Sequence, residues 1–244
     1  MNTAVVGAGN WGKNIVRVLA QMPQIDLSFV CDSDEKVRKR ASSLSPGSKV
    51  TDDYSEIIGD DSVESVVIAT HAPAHFAVAE KALCAGKNVL LEKPLTLSTA
   101  DAEKLVELAD KKNLVLMTGH LMIYHPAVAM LKEMVDKNEL GQVFYIYAQR
   151  VNLGVVRSDE NALWSLAPHD ISIILHVLGK LPNKVSARGG CYIRENVEDV
   201  VFLVMGFEDG ATAHVQLSWL DPHKERKLTL VGSERMVIFD DMQA

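Results

Sequence analysis

The sequence predicts an α/β protein, in which a doubly wound parallel sheet is followed by an α+β domain with a mostly antiparallel sheet. Strand-like and helix-like segments alternate up to about Gly119, which is typical of parallel strands joined by crossover helices. Beyond Gly119 two helical patterns are interspersed with strands, and Glu208-Asp209-Gly210 reads as a tight hairpin. We therefore expect two domains, residues 1–119 and 120–244.

The elements of the first domain follow from the spacing of apolar residues. Short apolar runs bounded by turn residues predict strands over residues 3–6, 27–31, 49–51, 65–70, 88–91 and 114–117. Helical spacing predicts helices over residues 13–21, 35–43, 74–85 and 99–111. Ligands of such a sheet bind beyond the carboxyl ends of the strands, which is where Thr70 and Glu92-Lys93-Pro94 fall.

The second domain is predicted in the same way. Helices are expected over residues 127–137 and 171–178, with Pro168 at the start of the second helix and Gly179 at its end. Strands are expected over residues 142–152, 184–192, 199–207, 211–219, 226–231 and 236–239.

Composition narrows the class of protein. No apolar run reaches the ~18 residues of a membrane span, and the N-terminus reads as a strand rather than a signal peptide. The three cysteines are far apart, without metal or disulfide spacing. We therefore expect a cytoplasmic protein without a membrane partner. The net charge of −7 argues against nucleic acid as a partner, so an anionic ligand needs local cationic groups.

A glycine-rich turn, Gly7-Ala8-Gly9-Asn10-Trp11-Gly12, separates the first strand from the first helix. The spacing Gly-x-Gly-x-x-Gly lets a dinucleotide pyrophosphate rest on the helix N-terminus, although glycines also serve ordinary tight turns. Asp32 ends the next strand, 20 residues beyond the last glycine, where a carboxylate hydrogen-bonds the ribose 2′-hydroxyl. We expect NAD rather than NADP, because this carboxylate repels a 2′-phosphate. The side chains of Ser33, Lys36 and Arg38, in contrast, favour NADP.

Lys93 and His169 are the candidate catalytic residues. A lysine after a buried strand suits a hydrogen bond to a reacting oxygen, or else it is a surface lysine paired with Glu92. The imidazole of His169 suits removal of a hydroxyl proton while hydride leaves the carbon. The alternative for Pro168-His169-Asp170 is an ordinary helix start, with the aspartate complementing the helix dipole.

Two histidine pairs, His71/His75 and His120/His125, stand without carboxylate-rich or thiolate companions. We therefore expect no metal. Among the arginines of the second domain, Arg150 is the best placed to hold an anionic substrate, because it lies near a strand end.

Four segments resemble the Gfo/Idh/MocA (glucose–fructose oxidoreductase/inositol dehydrogenase) family: residues 6–12, residues 67–70 with His75, residues 85–94 and residues 167–171. The Glu92-Lys93-Pro94 element is the most specific of them. The resemblance implies a Rossmann domain, a second domain with an open sheet that forms a homodimer or homotetramer, and an active-site pair of Lys93 and His169, with the nicotinamide between the domains. The cofactor-binding residues implied are Gly7, Gly9, Asn10, Trp11, Gly12, Asp32, Ser33, Ala69, Thr70, His75, Glu92 and Lys93.

Three further segments, residues 119–128, 147–154 and 161–165, look like the branch that acts on nucleotide sugars. Its members include UDP-N-acetylglucosamine and UDP-N-acetylglucosaminuronate 3-dehydrogenases, which implies a UDP-sugar substrate. The substrate-binding residues implied are Lys93, Tyr124, Arg150, Asn152, Trp164 and His169.

The chain departs from the family in two respects. Many members carry an aspartate four residues before the active-site histidine, where this chain has Ser165. Lys93 and His169 then remain without the triad aspartate, with Asp170 as a candidate helper. Family members are also usually longer, so we expect this chain to lack the end of the second domain. A dehydrogenase of a free polyol or inositol, and a non-catalytic NAD-binding regulator, remain alternative functions.

Overall fold

The structure is a computed structural model that describes residues 1–154, 156–157 and 160–243. Contacts divide the chain into two compact units, Met1–Gly119 and a second unit that begins at His120. Among the described residues, no helix has the length and apolar character needed to cross a bilayer.

The first unit is built on a six-stranded parallel sheet, as predicted. Its strands run in the order β3-β2-β1-β4-β5-β6, and every neighbouring pair is parallel. The order reverses between β1 and β4, and this switch point is where doubly wound sheets bind ligands. The bounds are β1 Asn2–Val6, β2 Asp26–Cys31, β3 Lys49–Thr51, β4 Ser65–Ile68, β5 Asn88–Leu91 and β6 Leu116–Thr118.

Helices cover both faces of this sheet. Successive residues of β1 point to opposite faces, so Ala4 packs in one hydrophobic cluster and Val5 in another. The predicted helices are present, and α3 is an additional helix of five residues, capped by the Asp53 side chain. It is too short to produce a clear apolar period. The bounds are α1 Gly12–Leu19, α2 Glu35–Leu44, α3 Tyr54–Ile58, α4 His75–Cys84 and α5 Thr99–Lys112.

The second unit contains a six-stranded sheet in the order β12-β11-β7-β10-β9-β8. The β7–β10 pair is parallel and the other four pairs are antiparallel, which confirms a mostly antiparallel sheet. The elements are α6 Pro126–Asp136, β7 Val143–Leu153, α7 Ala162–Leu178, β8 Lys184–Gly190, β9 Val200–Gly206, β10 Thr212–Ser218, β11 Leu220–Gly232 and β12 Met236–Asp240.

Helix α7 differs from the prediction. It begins at Ala162, about two turns earlier than expected, and Pro168 lies inside it. The Asn161 side chain caps the helix by accepting the Trp164 N–H at 3.1 Å. A proline deprives one carbonyl of its helical partner. Burial of the apolar side of α7, including Ala162 and Ala167, outweighs this loss, which the sequence pattern alone did not reveal.

Alternation along the strands gives the second sheet one buried and one open face. In β9, Val201, Leu203 and Met205 are buried, whereas Phe202 and Val204 are exposed. Strand register places more apolar side chains on the open face, including Tyr145, Tyr147 and Ile238. The sheet is therefore open, with a partly apolar outer surface.

Candidate functional site

The glycine turn joins β1 to α1 through a close backbone approach. Gly7 has a φ of +89°, and a Cβ there would stand 2.7 Å from the carbonyl carbon and oxygen of Ala69. A Cβ on Gly12 would stand 1.9 Å from the Gly7 carbonyl oxygen. Both positions therefore need glycine for the fold itself.

Gly9 differs from the other two glycines of the motif, Gly7 and Gly12. A Cβ built on it meets no atom of the described residues within 4 Å, apart from its own chain neighbours. The backbone at this position is open to an approaching ligand. Among the described residues, no side chain caps the N-terminus of the adjacent helix α1. Open space beside an uncapped helix N-terminus fits a dinucleotide pyrophosphate.

The Asp32 carboxylate is fixed beside this turn. Its Oδ2 accepts the Ala8 N–H at 2.8 Å, and its Oδ1 accepts the Asp34 N–H at 3.0 Å. Arg38, one of the residues that argued for NADP, donates to the Asp32 and Ser33 carbonyls at 2.8 and 2.9 Å and pairs with Asp52 at 3.2 Å. The carboxylate therefore stands where a ribose hydroxyl is expected, while Arg38 is engaged elsewhere.

The Glu-Lys-Pro turn follows β5 and is tied to the glycine turn. The Trp11 Nε1–H donates to Glu92 Oε1 at 2.7 Å, and the Lys93 backbone N–H donates to Oε2 at 3.3 Å. A Cβ on Gly119 would lie 3.1 Å from the Glu92 carboxyl group, so a larger residue would crowd it. The Lys93–Pro94 peptide bond is cis.

The buried side chain of His75 contacts the same turn at the Pro94 carbonyl. Its side chain is 1% exposed, with Nδ1 2.7 Å from the Pro94 carbonyl oxygen and Nε2 3.1 Å from the Thr70 carbonyl oxygen. A neutral imidazole carries one N–H and donates to only one of these carbonyls at a time. The ring therefore links the Glu-Lys-Pro turn to the end of β4, and its contact with a cofactor stays a prediction.

Thr70 and Ala69 follow β4 and are half-buried beside the glycine turn. Among the residues that the structure describes, the buried Thr70 Oγ1 has no hydrogen-bond partner. An orphaned polar atom is costly, so it points to a partner that the protein alone does not supply. This agrees with a polar ligand at the end of β4.

Arg40, which the sequence did not single out, contacts the glycine turn. Its Nη2 donates to the Ala8 carbonyl at 2.8 Å and to the Gly9 carbonyl at 3.1 Å. Basic residues are common in α2, and no spacing distinguishes this arginine from Arg38 or Lys39. Only the fold identifies its partners.

Arg150 of the second unit lies near the end of β7, where its side chain is buried. Its Nε and Nη2 donate to the Asp170 carboxylate at 2.7 and 3.1 Å, and the two side chains are only 8% and 4% exposed. Burial raises the pKa of the Asp170 carboxyl, and the guanidinium of Arg150 opposes this rise. Arg150 is therefore bound to α7 in this structure, and its role in holding an anionic substrate stays a prediction.

The candidate base, His169, lies on α7 next to the buried ion pair. Its side chain is half-buried, and its backbone carbonyl accepts the Ser172 hydroxyl at 2.8 Å. Ser165 stands one helical turn earlier and is buried. The ion pair through Asp170 anchors this part of α7 to β7, which carries Arg150.

The other predicted substrate residues keep accessible surface. Trp164 in the first turn of α7 is 39% exposed, Tyr124 in a short 3-10 helix (Leu121–Tyr124) is 66% exposed, and Asn152 on β7 is half-buried. Within the described part of the chain, no three His, Cys, Asp or Glu side chains gather as a metal site.

Two family models match the chain. A model described as an oxidoreductase family with an NAD-binding Rossmann fold matches residues 1–120, and one described as the GFO/IDH/MocA C-terminal domain matches residues 128–238. Together they cover the first unit and most of the second.

Solved structures and curated proteins are similar to the chain over most of its length. GenD2 from gentamicin A biosynthesis, solved with NAD, has a TM-score of 0.93 at 31% identity, covering 100% of this chain and 74% of that chain. UDP-N-acetylglucosamine 3-dehydrogenase GnnA from Acidithiobacillus ferrooxidans has a TM-score of 0.87 at 28% identity, covering 98% and 76%. The curated sequence of that name from the same organism is 29% identical over 242 residues, which is 98% of this chain and 74% of the relative. Inositol 2-dehydrogenase of Salmonella typhimurium is 28% identical over 186 residues, covering 74% and 55%.

Proposed function

The chain belongs to the Gfo/Idh/MocA family of NAD-binding oxidoreductases, and we propose that it oxidises C3 of a UDP-N-acetylated sugar to a ketone, as a step in nucleotide-sugar or surface polysaccharide biosynthesis. The observation that carries this proposal is the likeness to UDP-N-acetylglucosamine 3-dehydrogenase, which extends over 98% of this chain. The chain spans only 74% of that relative's length. The activity of the whole relative is therefore proposed for this chain rather than taken as shown.

The residues of the first unit fit NAD. The open backbone at Gly9 suits the pyrophosphate, Asp32 suits the adenosine ribose, and the orphaned Thr70 hydroxyl and Glu92 suit the remaining polar groups. The carboxylate of Asp32 disfavours a 2′-phosphate, and Arg38 is held by backbone carbonyls and Asp52. We therefore expect NAD to bind more tightly than NADP.

In the proposed reaction, His169 takes the proton of the sugar hydroxyl, and Lys93 hydrogen-bonds the same oxygen as negative charge develops on it. When bound, NAD supplies the hydride acceptor. Glu92 and His75 orient the turn that carries Lys93, and the Arg150–Asp170 pair holds the turn of α7 that carries His169. Tyr124, Asn152 and Trp164 are proposed to contact the sugar nucleotide.

A free polyol or inositol is the second candidate substrate, favoured by the likeness to inositol 2-dehydrogenase over 74% of this chain. Fold alone does not choose between the two. The purified protein should be assayed with NAD and a panel of UDP-sugars, UDP-uronic acids, inositols and free sugars, with NADH absorbance as the measurement. Reduction with UDP-N-acetylated sugars alone supports the proposal, whereas reduction with inositols alone replaces it. NAD binding without reduction by any panel member indicates a regulator.

We also propose that the open face of the second sheet pairs copies of this chain in a dimer or tetramer. Phe202, Val204 and Ile238 are 43%, 38% and 53% exposed there. The rings of Phe202, His214 and Tyr147 stack in a row, with centroid distances of 6.4 and 5.2 Å. An ordered apolar surface of this kind is typical of an interaction site. Light scattering of Val204→Asp beside the unaltered protein tests it, and an unchanged mass would exclude this face.

A further inference from the structure

We propose that Arg40 is a positioning residue for the cofactor, because it orients the peptide groups of the glycine turn and supplies positive charge to it. This inference rests on NAD binding, and it does not depend on the identity of the sugar. The sequence predicted no ligand contact for α2 residues beyond Arg38.

The two hydrogen bonds of Arg40 hold the carbonyls of Ala8 and Gly9, and the Gly9 carbonyl also accepts the Lys13 N–H at 3.2 Å. One nitrogen, Nη2, lies 2.8 Å from the Ala8 carbonyl oxygen and 3.1 Å from that of Gly9. In a planar trans peptide, the carbonyl and the following N–H point in opposite directions. Carbonyls drawn towards Arg40 therefore turn the N–H groups of Gly9 and Asn10 to the other side.

The Ala8 residue is held from both ends. Its N–H donates to Asp32 Oδ2 at 2.8 Å, while its carbonyl accepts from Arg40. The two contacts fix consecutive peptide planes before any ligand arrives. Successive N–H groups facing one way form a site for anions, and the space beside Gly9 leaves room for one.

Charge adds to this geometry. The chain has a net charge of −7, and four aspartates, Asp32, Asp34, Asp52 and Asp53, lie in the loops that follow β2 and β3. A guanidinium bonded directly to the glycine turn offsets part of this negative field near the pyrophosphate. Arg38, in contrast, is paired with Asp52.

Lys39 offers a matched control. It stands next to Arg40 on α2, its side chain is 76% exposed, and it pairs with Glu35 at 2.7 Å. Replacing Lys39 by glutamine removes the same charge from the same helix, but it leaves the carbonyls of the turn untouched.

The test is calorimetric titration of NAD and of ADP-ribose into the full chain and its R40Q, R40K and K39Q variants, with NMR titration of adenosine. We expect R40Q to weaken NAD and ADP-ribose about tenfold, with adenosine unchanged because it lacks the pyrophosphate. R40K should restore part of this loss because it retains the charge, and K39Q should match the unaltered chain. Melting temperatures show whether each variant is folded.

Three results would overturn the inference. R40Q could match K39Q for both NAD and ADP-ribose, or R40Q could weaken adenosine as much as ADP-ribose. R40K could also behave like the unaltered chain, in which case only the charge of Arg40 would matter. If the unaltered chain bound neither NAD nor ADP-ribose, NAD use itself would be refuted, and the proposed role of Arg40 would be refuted as well. That outcome is distinct from normal binding that is insensitive to Arg40.

Discussion

Trp11 and Glu92, which are 81 residues apart in sequence, are joined by a 2.7 Å hydrogen bond from the indole Nε1–H to the carboxylate. The bond ties the glycine turn to the turn that carries Lys93. The same carboxylate accepts the backbone N–H of Lys93, so Glu92 links the Trp11 side chain to the backbone of the lysine.

The first prediction concerns this bond. Trp11→Phe should lower kcat about tenfold with a smaller change in NAD affinity, because an imperfectly placed Lys93 loses transition-state stabilisation. Trp11→His, which retains a ring N–H donor, should recover part of kcat. Steady-state kinetics with the substrate found in the panel provide the measurement.

Tyr54→Phe is the control for Trp11→Phe. It also removes one aromatic hydrogen-bond donor of the first unit, the Tyr54 hydroxyl that donates to the Val78 carbonyl at 2.9 Å. Equal kcat values for the two variants would contradict a specific role of Trp11.

The second prediction separates two glycines of one motif. Gly12→Ala should destabilise the protein by about 3 kcal/mol or more, because its Cβ would overlap the Gly7 carbonyl oxygen. Gly9→Ala should leave the free energy of unfolding within about 0.5 kcal/mol and weaken NAD about tenfold, because its Cβ enters ligand space only. Urea unfolding and NAD titration check both, and a Gly9→Ala protein with normal affinity would place the pyrophosphate elsewhere.

The third prediction tests the candidate base. His169→Asn should lower turnover by about 100-fold or more, the usual share of general base catalysis, with NAD affinity retained. Unchanged turnover would remove His169 from the reaction.

The fourth prediction concerns the buried ion pair. Arg150→Met should lower the free energy of unfolding by about 3–5 kcal/mol, because Asp170 is left buried and uncompensated. The double variant Arg150→Met/Asp170→Leu should be more stable than Arg150→Met alone, since no charge remains buried. Urea denaturation gives both values. A cost below about 1 kcal/mol for the single variant would argue against the pair as observed.

The fifth prediction uses thiol chemistry. Burial, aided by the negative charge of Asp32, raises the pKa of Cys31 to about 11, whereas Cys84 and Cys191 are exposed. At pH 8 iodoacetamide should therefore label the two exposed cysteines first, because the thiolate is the reactive form. Cys31 should become reactive only as the pH approaches its pKa or on unfolding. Peptide mass spectrometry distinguishes the three sites, and early labelling of Cys31 would contradict its burial.

The fold was predictable where local patterns and tertiary packing agree. The parallel sheet and the mostly antiparallel sheet followed from apolar spacing and turn residues, and the glycine turn from its own motif. The openness of the second sheet followed from the family resemblance. Helix α7 was predicted too short, because Pro168 reads as a helix start unless the burial of Ala162 and Ala167 is known.

The candidate site was predictable only at the level of residue types. Sequence indicated that Arg150 and Asp170 carry charge, but their burial against each other depends on α7 packing on the inner face of the second sheet. The contacts of Arg40 and Trp11 likewise join segments that are 31 and 81 residues apart, and no spacing rule encodes such pairs.

The parallel β7–β10 pair has a consequence for synthesis of the protein. Both neighbours of β7 in the sheet, β10 and β11, are translated after it, with β10 beginning at Thr212. Because translation adds about 5–20 residues per second, several seconds pass between the synthesis of β7 and that of β10. During this time both backbone edges of β7 are unpaired. Unpaired strand edges attract other chains, so the growing second unit is expected to need a chaperone more than the first.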